Sequence, residues 1–307
     1  MTTLHRHFIR LASTLTLGFA TVFSLAQTPT QTCFEEGFAA PESWTESFPA
    51  HRIIGPLYAV GGADLSVFLI ATEEGHLLIN TGLAASTQAI KANVEALGFQ
   101  FSDIRILLTM QAHFDHTAAM AEIQSMTQAE VWATAGDARV LADGGASDAH
   151  FGECAEFRFP PVTTDRILAD QDLIELGNLK ITTHLHPGHT EGSSSYSLAV
   201  EEDDRLYNVL IANMGTINPG KKMIDEPTYP GVAEDFAGTF AKQKALSVDV
   251  WVAAHASQYQ RDAKFTTGQA YDPDTFVDPA GFLSEVERLE AIYQAQIRAE
   301  RMESTAQ

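Results

Sequence analysis

The chain predicts an α/β sandwich. Apolar runs of strand length alternate with helix-period patterns, no stretch rich in Pro, Gly or Ser divides the sequence, and no short repeat suggests a solenoid. With 307 residues, 45% of them hydrophobic, there is material for the core of one large domain.

In chain order, "LSVFLI" (65–70) and "HLLIN" (76–80), separated by "ATEEG", read as a β-hairpin. "STQAIKANVEALG" (86–98) places Ala89, Ile90, Val94 and Leu97 at helical spacing and stops at Gly98. "IRILLTM" (104–110) is apolar throughout, as a buried strand would be. "QAEVWAT" follows as a strand and "GDARVLADG" as a short helix. "LKITTHLHP" (179–187), "SSYSLAV" (194–200) and "RLYNVLIAN" (205–213) are strand-like, with "EEDD" as an acidic turn. "VAEDFAGTFAKQKAL" (232–246) is helical, "VDVWVAAH" (248–255) is a buried strand, and "AGFLSEVERLEAIYQAQIRAERM" (280–302) is a long terminal helix with a solvated charged side.

Residues 1–26 do not belong to that core. His5, Arg6, His7 and Arg10 form a basic start, an apolar run follows from Leu11, and Ser24-Leu25-Ala26 offers small residues for cleavage. This reads as a secretory signal peptide, too short for a membrane span, so export to a periplasm is expected. Residues 27–307 would then be a single catalytic domain behind a polar leader that runs to about Ser47.

In an oxidising compartment the two cysteines, Cys33 and Cys154, have the option of one disulfide. The formal charge is −21, and losing Arg6 and Arg10 makes the mature chain more acidic still. Such a surface repels nucleic acid and anionic lipid. A small-molecule substrate and a monomer are the default expectations.

The chemistry gathers at three strand ends. Gln111-Ala112-His113-Phe114-Asp115-His116 follows the buried strand at 104–110. His189 lies in the Gly- and Ser-rich turn of "HPGHTEGSSSYS", and His255 closes "VWVAAHAS". Imidazole and carboxylate are the donors zinc takes in sites without cysteine. Burying such groups unpaired would cost stability with nothing to offset it. A lone histidine has a plainer reading, so His51, His76, His150, His184 and His186 are expected to be ordinary surface or capped residues. His186, three positions before His189, is the least separable of these.

The order of these motifs resembles the metallo-β-lactamase superfamily. "FRFPPVTTDRIL", "LGNLKITTHLHPGHTEGSSSYS", "IANMGTINPG", "YPGVAEDFAGTF" and "VDVWVAAHAS" are similar to subclass B3 of the true β-lactamases, from about Trp44 to about Phe282. The resemblance implies an αββα sandwich with zinc at one edge of its two sheets. It implies a first metal set of Gln111, His113 and His189 and a second of Asp115, His116 and His255. The glutamine, where a histidine is usual, resembles the GOB-type branch. Its amide oxygen is neutral and less basic than imidazole, so one or two zinc ions are expected, with the Asp115/His116/His255 set filling first.

The implied reaction is opening of the β-lactam ring of penicillins and cephalosporins, with carbapenems an open question, by attack of zinc-bound hydroxide, Asp115 orienting the water. Thr216 and Ser193, with Ser194 beside it, are candidate substrate contacts. Met214 stands where relatives tend to carry a serine. No S-x-x-K sequence offers a serine nucleophile.

Two rivals remain. Lactone and thioester hydrolases of the superfamily usually carry a bridging aspartate where this chain reads Asn213-Met214-Gly215. A non-catalytic metal-binding protein would explain Gln111 but leaves the complete Asp115/His116/His255 set without a use.

Overall fold

The computed structural model describes residues 40–306, all within one compact unit. The expected signal segment and Cys33 lie outside the described residues. Cys154 is disulfide-bonded, and Cys33 is the only other cysteine in the sequence.

The first sheet has seven strands in sequential order: β1 (His51–Ile54), β2 (Leu57–Ala59), β3 (Phe68–Thr72), β4 (Gly75–Ile79), β5 (Ile104–Leu108), β6 (Glu130–Thr134) and β7 (Arg166–Leu168). β1 to β4 form an antiparallel meander, and β5, β6 and β7 add in parallel. The expected 65–80 hairpin is the β3–β4 pair. Its turn closes with Thr72 Oγ1 donating to Gly75 O at 2.6 Å. Gly75 holds φ at +127°, and a Cβ there would strike the Arg105 side chain, so the turn needs glycine.

The second sheet runs in the order β12-β11-β10-β9-β8: β8 (Leu173–Leu176), β9 (Leu179–Leu185), β10 (Ser194–Glu202), β11 (Arg205–Ala212) and β12 (Val250–Ala253). The acidic turn joins β10 to β11 in register Glu202↔Arg205. Asp203 and Asp204 both have positive φ, as a two-residue hairpin loop of this kind requires.

Eight α-helices complete the described residues: α1 (Glu42–Thr45), α2 (Thr87–Ala96), α3 (Phe114–Thr117), α4 (Met120–Thr127), α5 (Ala135–Ala142), α6 (Val232–Ala245), α7 (Arg261–Lys264) and α8 (Pro279–Ala306). Alternation along the strands sorts the core into layers. Phe68, Ile70, Leu77, Ile79, Ile106 and Leu108 face the second sheet, joining Ile181, Tyr196 and Leu198. Leu69, Leu78 and Leu107 point the other way, onto Ile90 and Val94 of α2 and Met120 and Ile123 of α4. Phe236 and Phe240 of α6 and Phe282, Val286 and Leu289 of α8 pack with the second sheet. Helix, sheet, sheet, helix is the expected αββα order.

The sheets are stitched together at one edge by main-chain bonds. Ser194 N donates to Met110 O at 2.9 Å and Ser66 N to Ala254 O at 3.0 Å. At that edge β5, β9, β11 and β12 all release their chains, which is where an open α/β sheet offers room for a ligand.

Candidate metal centre

Past Leu108 the chain leaves β5 and turns into α3, so the two-residue spacing of Gln111, His113 and Asp115 is not that of a strand. His113 sits in extended backbone just before α3, and Asp115 and His116 lie in its only turn. All six expected ligands are buried or nearly so, on three strand exits.

One set is tightly gathered. Asp115, His116 and His255 each turn a donor atom to within 4.8 Å of the others. Asp115 Oδ2 stands 3.1 Å from His116 Nε2 and 3.6 Å from His255 Nε2. Burial opposes the charge on Asp115, but these imidazoles outweigh it and hold the carboxyl below the usual carboxylate range. His255 is oriented from behind, its Nδ1 lying 3.0 Å from Asp64 Oδ2, while Ser257 N donates to Asp64 Oδ1 at 2.9 Å. A carboxylate behind an imidazole fixes its tautomer and leaves Nε2 for a metal.

In the other set the His113 and His189 rings are 4.9 Å apart, much as the His116 and His255 rings are at 5.0 Å. Asp148 Oδ2 stands 3.4 Å from His113 Nε2, and His189 Nδ1 donates to Thr216 O at 2.8 Å. Burial, then the charge of His113, push His189 well below the ordinary imidazole value, so it is a neutral donor. Lys221, itself buried, donates from Nζ to His189 O at 3.0 Å.

Gln111 is buried with Oε1 lacking any hydrogen-bond partner, and so is His116 with its Nδ1, its Nε2 facing only the Asp115 carboxylate. Buried polar atoms are rarely left so. Imidazole and carboxylate are the donors zinc takes without cysteine, so His113, His189, Asp115, His116 and His255 fit that ion, and the Gln111 amide oxygen adds a weaker, neutral donor. Asp64, Asp148 and Lys221 carried no spacing signal in the sequence.

The remaining candidates separate. Thr216 is half-buried, with Oγ1 3.0 Å from His189 Nδ1 at the margin of the centre. Met214 is buried beside it. Ser193 and Ser194 have no exposed surface. The Ser193 hydroxyl accepts from Thr190 N at 2.9 Å and donates to Thr190 Oγ1 at 2.8 Å, leaving it no face to offer a substrate. The expectation for the other histidines is corrected: His51, His76, His184 and His186 are buried, and only His150 keeps moderate exposure. Rings and hydroxyls solvate them instead of water. His51 stacks on Phe265 at 4.1 Å, and His186 Nδ1 meets Ser195 Oγ at 2.7 Å.

Residues 61–207 match the metallo-beta-lactamase superfamily. Among solved structures, the chain is similar to the metallo-beta-lactamase GOB-18 from Elizabethkingia meningoseptica at 42% identity and a TM-score of 0.83, covering 86% of this chain and 98% of that one. The class B3 di-zinc metallo-beta-lactamase LRA-12 from an Alaskan soil metagenome shares 44% identity, with a TM-score of 0.82 over 86% and 99% of the two chains. The subclass B3 enzyme BJP-1 of Bradyrhizobium japonicum shares 31%, at 0.80 over 85% and 98%.

Proposed function

This chain belongs to the class B3 metallo-β-lactamases, and we propose that it opens the β-lactam ring of penicillins and cephalosporins at a zinc centre held by Gln111, His113, His189, Asp115, His116 and His255. The observation that carries this reading is the buried Asp115/His116/His255 cluster, with donors converging and His255 pinned by Asp64. A zinc ion held there by Asp115, His116 and His255 would lower the pKa of water towards about 7 and would serve as a Lewis acid.

The chain's own groups do the rest. Asp115, kept ionised by its imidazole neighbours, accepts a hydrogen bond from the attacking water and aims it at the ring carbonyl. The Thr216 hydroxyl, at the margin of the centre, is the group we assign to the substrate carboxylate. Met214, apolar and buried, cannot share that task. Ser193 acts by holding the His189 turn.

We place Asp115/His116/His255 first in the order of filling, because Gln111 gives the other set a neutral amide. We also take residues 1–26 as a signal for export to the periplasm and the mature enzyme as a monomer. Among the described residues no helix is long and apolar enough to cross a membrane.

The test is hydrolysis of a chromogenic cephalosporin and a carbapenem by the mature protein as purified, after chelation, and after zinc is restored. Turnover that vanishes with chelator and returns with zinc is expected. Folded, zinc-loaded protein without turnover would overturn the reading and bring lactones and thioesters forward.

A further inference from the structure

The loop that carries His189 is clamped by the start of α5. The two backbones touch: a Cβ on Gly136 would stand 2.6 Å from Gly192 N. Thr134 Oγ1 donates to Gly192 O at 2.6 Å. Inside this contact lies Asp137, 1% exposed. Its Oδ1 accepts the Thr190 hydroxyl at 2.9 Å, and Thr190 is also tied to Ser193. The backbone amide of Ala112 lies near enough to favour the charged carboxylate, although Oδ2 makes no well-aligned hydrogen bond. Burial pushes the Asp137 carboxyl up to about 7. A carboxylate with one unmatched oxygen is costly to bury, and the hydrolytic scheme above does not use it.

Ala112 separates Gln111 from His113, and Thr190 follows His189. Asp137 therefore meets both loops that bring the first metal set together, one from each sheet. Asp148 and Thr216 orient single rings, whereas Asp137 bridges two segments. We propose that Asp137 is a positioning residue for the Gln111/His113/His189 set, tying the loop after β5 to the loop after β9 so that their donors keep a fixed separation. The inference rests on the two-set reading given above. It matters most for this set, because Gln111 is a weak donor and the ion there depends on where His113 and His189 stand.

The test is a cobalt(II) titration of the metal-free protein, followed by visible absorption and calorimetry so that the two sets are read separately. Asp137→Ala should weaken the Gln111/His113/His189 set by about tenfold or more and leave the Asp115/His116/His255 set in place. Thr190→Val, which removes only the hydroxyl donor, should shift the same set in the same direction, and it decides the matter if Asp137→Ala fails to fold. Asp137→Asn keeps an acceptor for Thr190 and should stay close to wild type. A wild type that binds one class of ion only would overturn the two-set reading and this inference together. Two classes in the wild type, with both sets weakened equally or neither weakened in the variants, would overturn this inference alone.

Discussion

In the proposed centre Gln111 would be the one amide among imidazoles and a carboxylate, and a single substitution should expose this. Gln111→His exchanges a neutral amide oxygen for a more basic imidazole nitrogen at a buried position. We expect tighter zinc binding at the first set and little change at the second, read by metal counting at graded free zinc. Unchanged affinity would mean that Gln111 does not face the ion. Asp64 is the corresponding support of the second set. Asp64→Ala leaves His255 Nδ1 without its 3.0 Å partner, and zinc affinity there should fall about 10- to 100-fold. The candidate ligands stand out in the sequence because the Gln111–His116 cluster is compact, His189 sits in a turn just after a strand-like run and His255 closes another. Asp64 was not, since a carboxylate serving a histidine 191 residues away leaves no local pattern. Asp137 and Asp148 were silent for the same reason.

Among the elements, those with full periodicity were readable: α2, β5, β9 to β12, α6 and α8 lie on their expected runs, and so does the β3–β4 hairpin, although β3 spans Phe68–Thr72 rather than 65–70. The misses are short. β1 and β2 are four and three residues long, split by Gly55-Pro56, and β7 is a three-residue edge strand. α4 buries only Met120, Ile123 and Thr127, too few positions to stand out behind the ligand motif. The charged side of α8 is the solvated face its pattern predicts at Glu287, Arg288, Arg298, Arg301 and Glu303, but not at Gln296 and Glu300. Glu300 accepts the amides of Met223 and Ile224, and Gln296 donates to Lys221 O, so the helix end holds the loop whose Lys221 grips His189 O. Charge alone cannot show which exposed positions a returning loop will cover. Glu300→Ala should therefore speed hydrogen exchange at the Met223 and Ile224 amides and leave the core strands protected. Unchanged exchange at those two amides would refute the tether.

For the molecule as a whole, the question is how stability responds to acid. Two effects oppose each other. Lowering the pH towards the sequence pI of about 4.7 relieves repulsion on a chain of formal charge −21. Surface charges, however, are screened beyond about 8 Å at physiological ionic strength. The buried imidazoles are not so sheltered. Burial lowers His51 to about 4 and His186 to about 3. Below about 6.5, the unfolded chain takes up these protons and the folded chain refuses them. Their contribution is thus complete above about 6.5 and drains away as the pH falls towards the folded values. Desolvation should outweigh the relief of screened repulsion, so the metal-free protein should lose thermal stability steadily from pH 6.5 to pH 5. Melting curves in chelator across that range, with the His51→Gln/His186→Gln double variant as comparison, decide the point. The double variant should give a flatter profile; one as steep as wild type would assign the acid lability elsewhere.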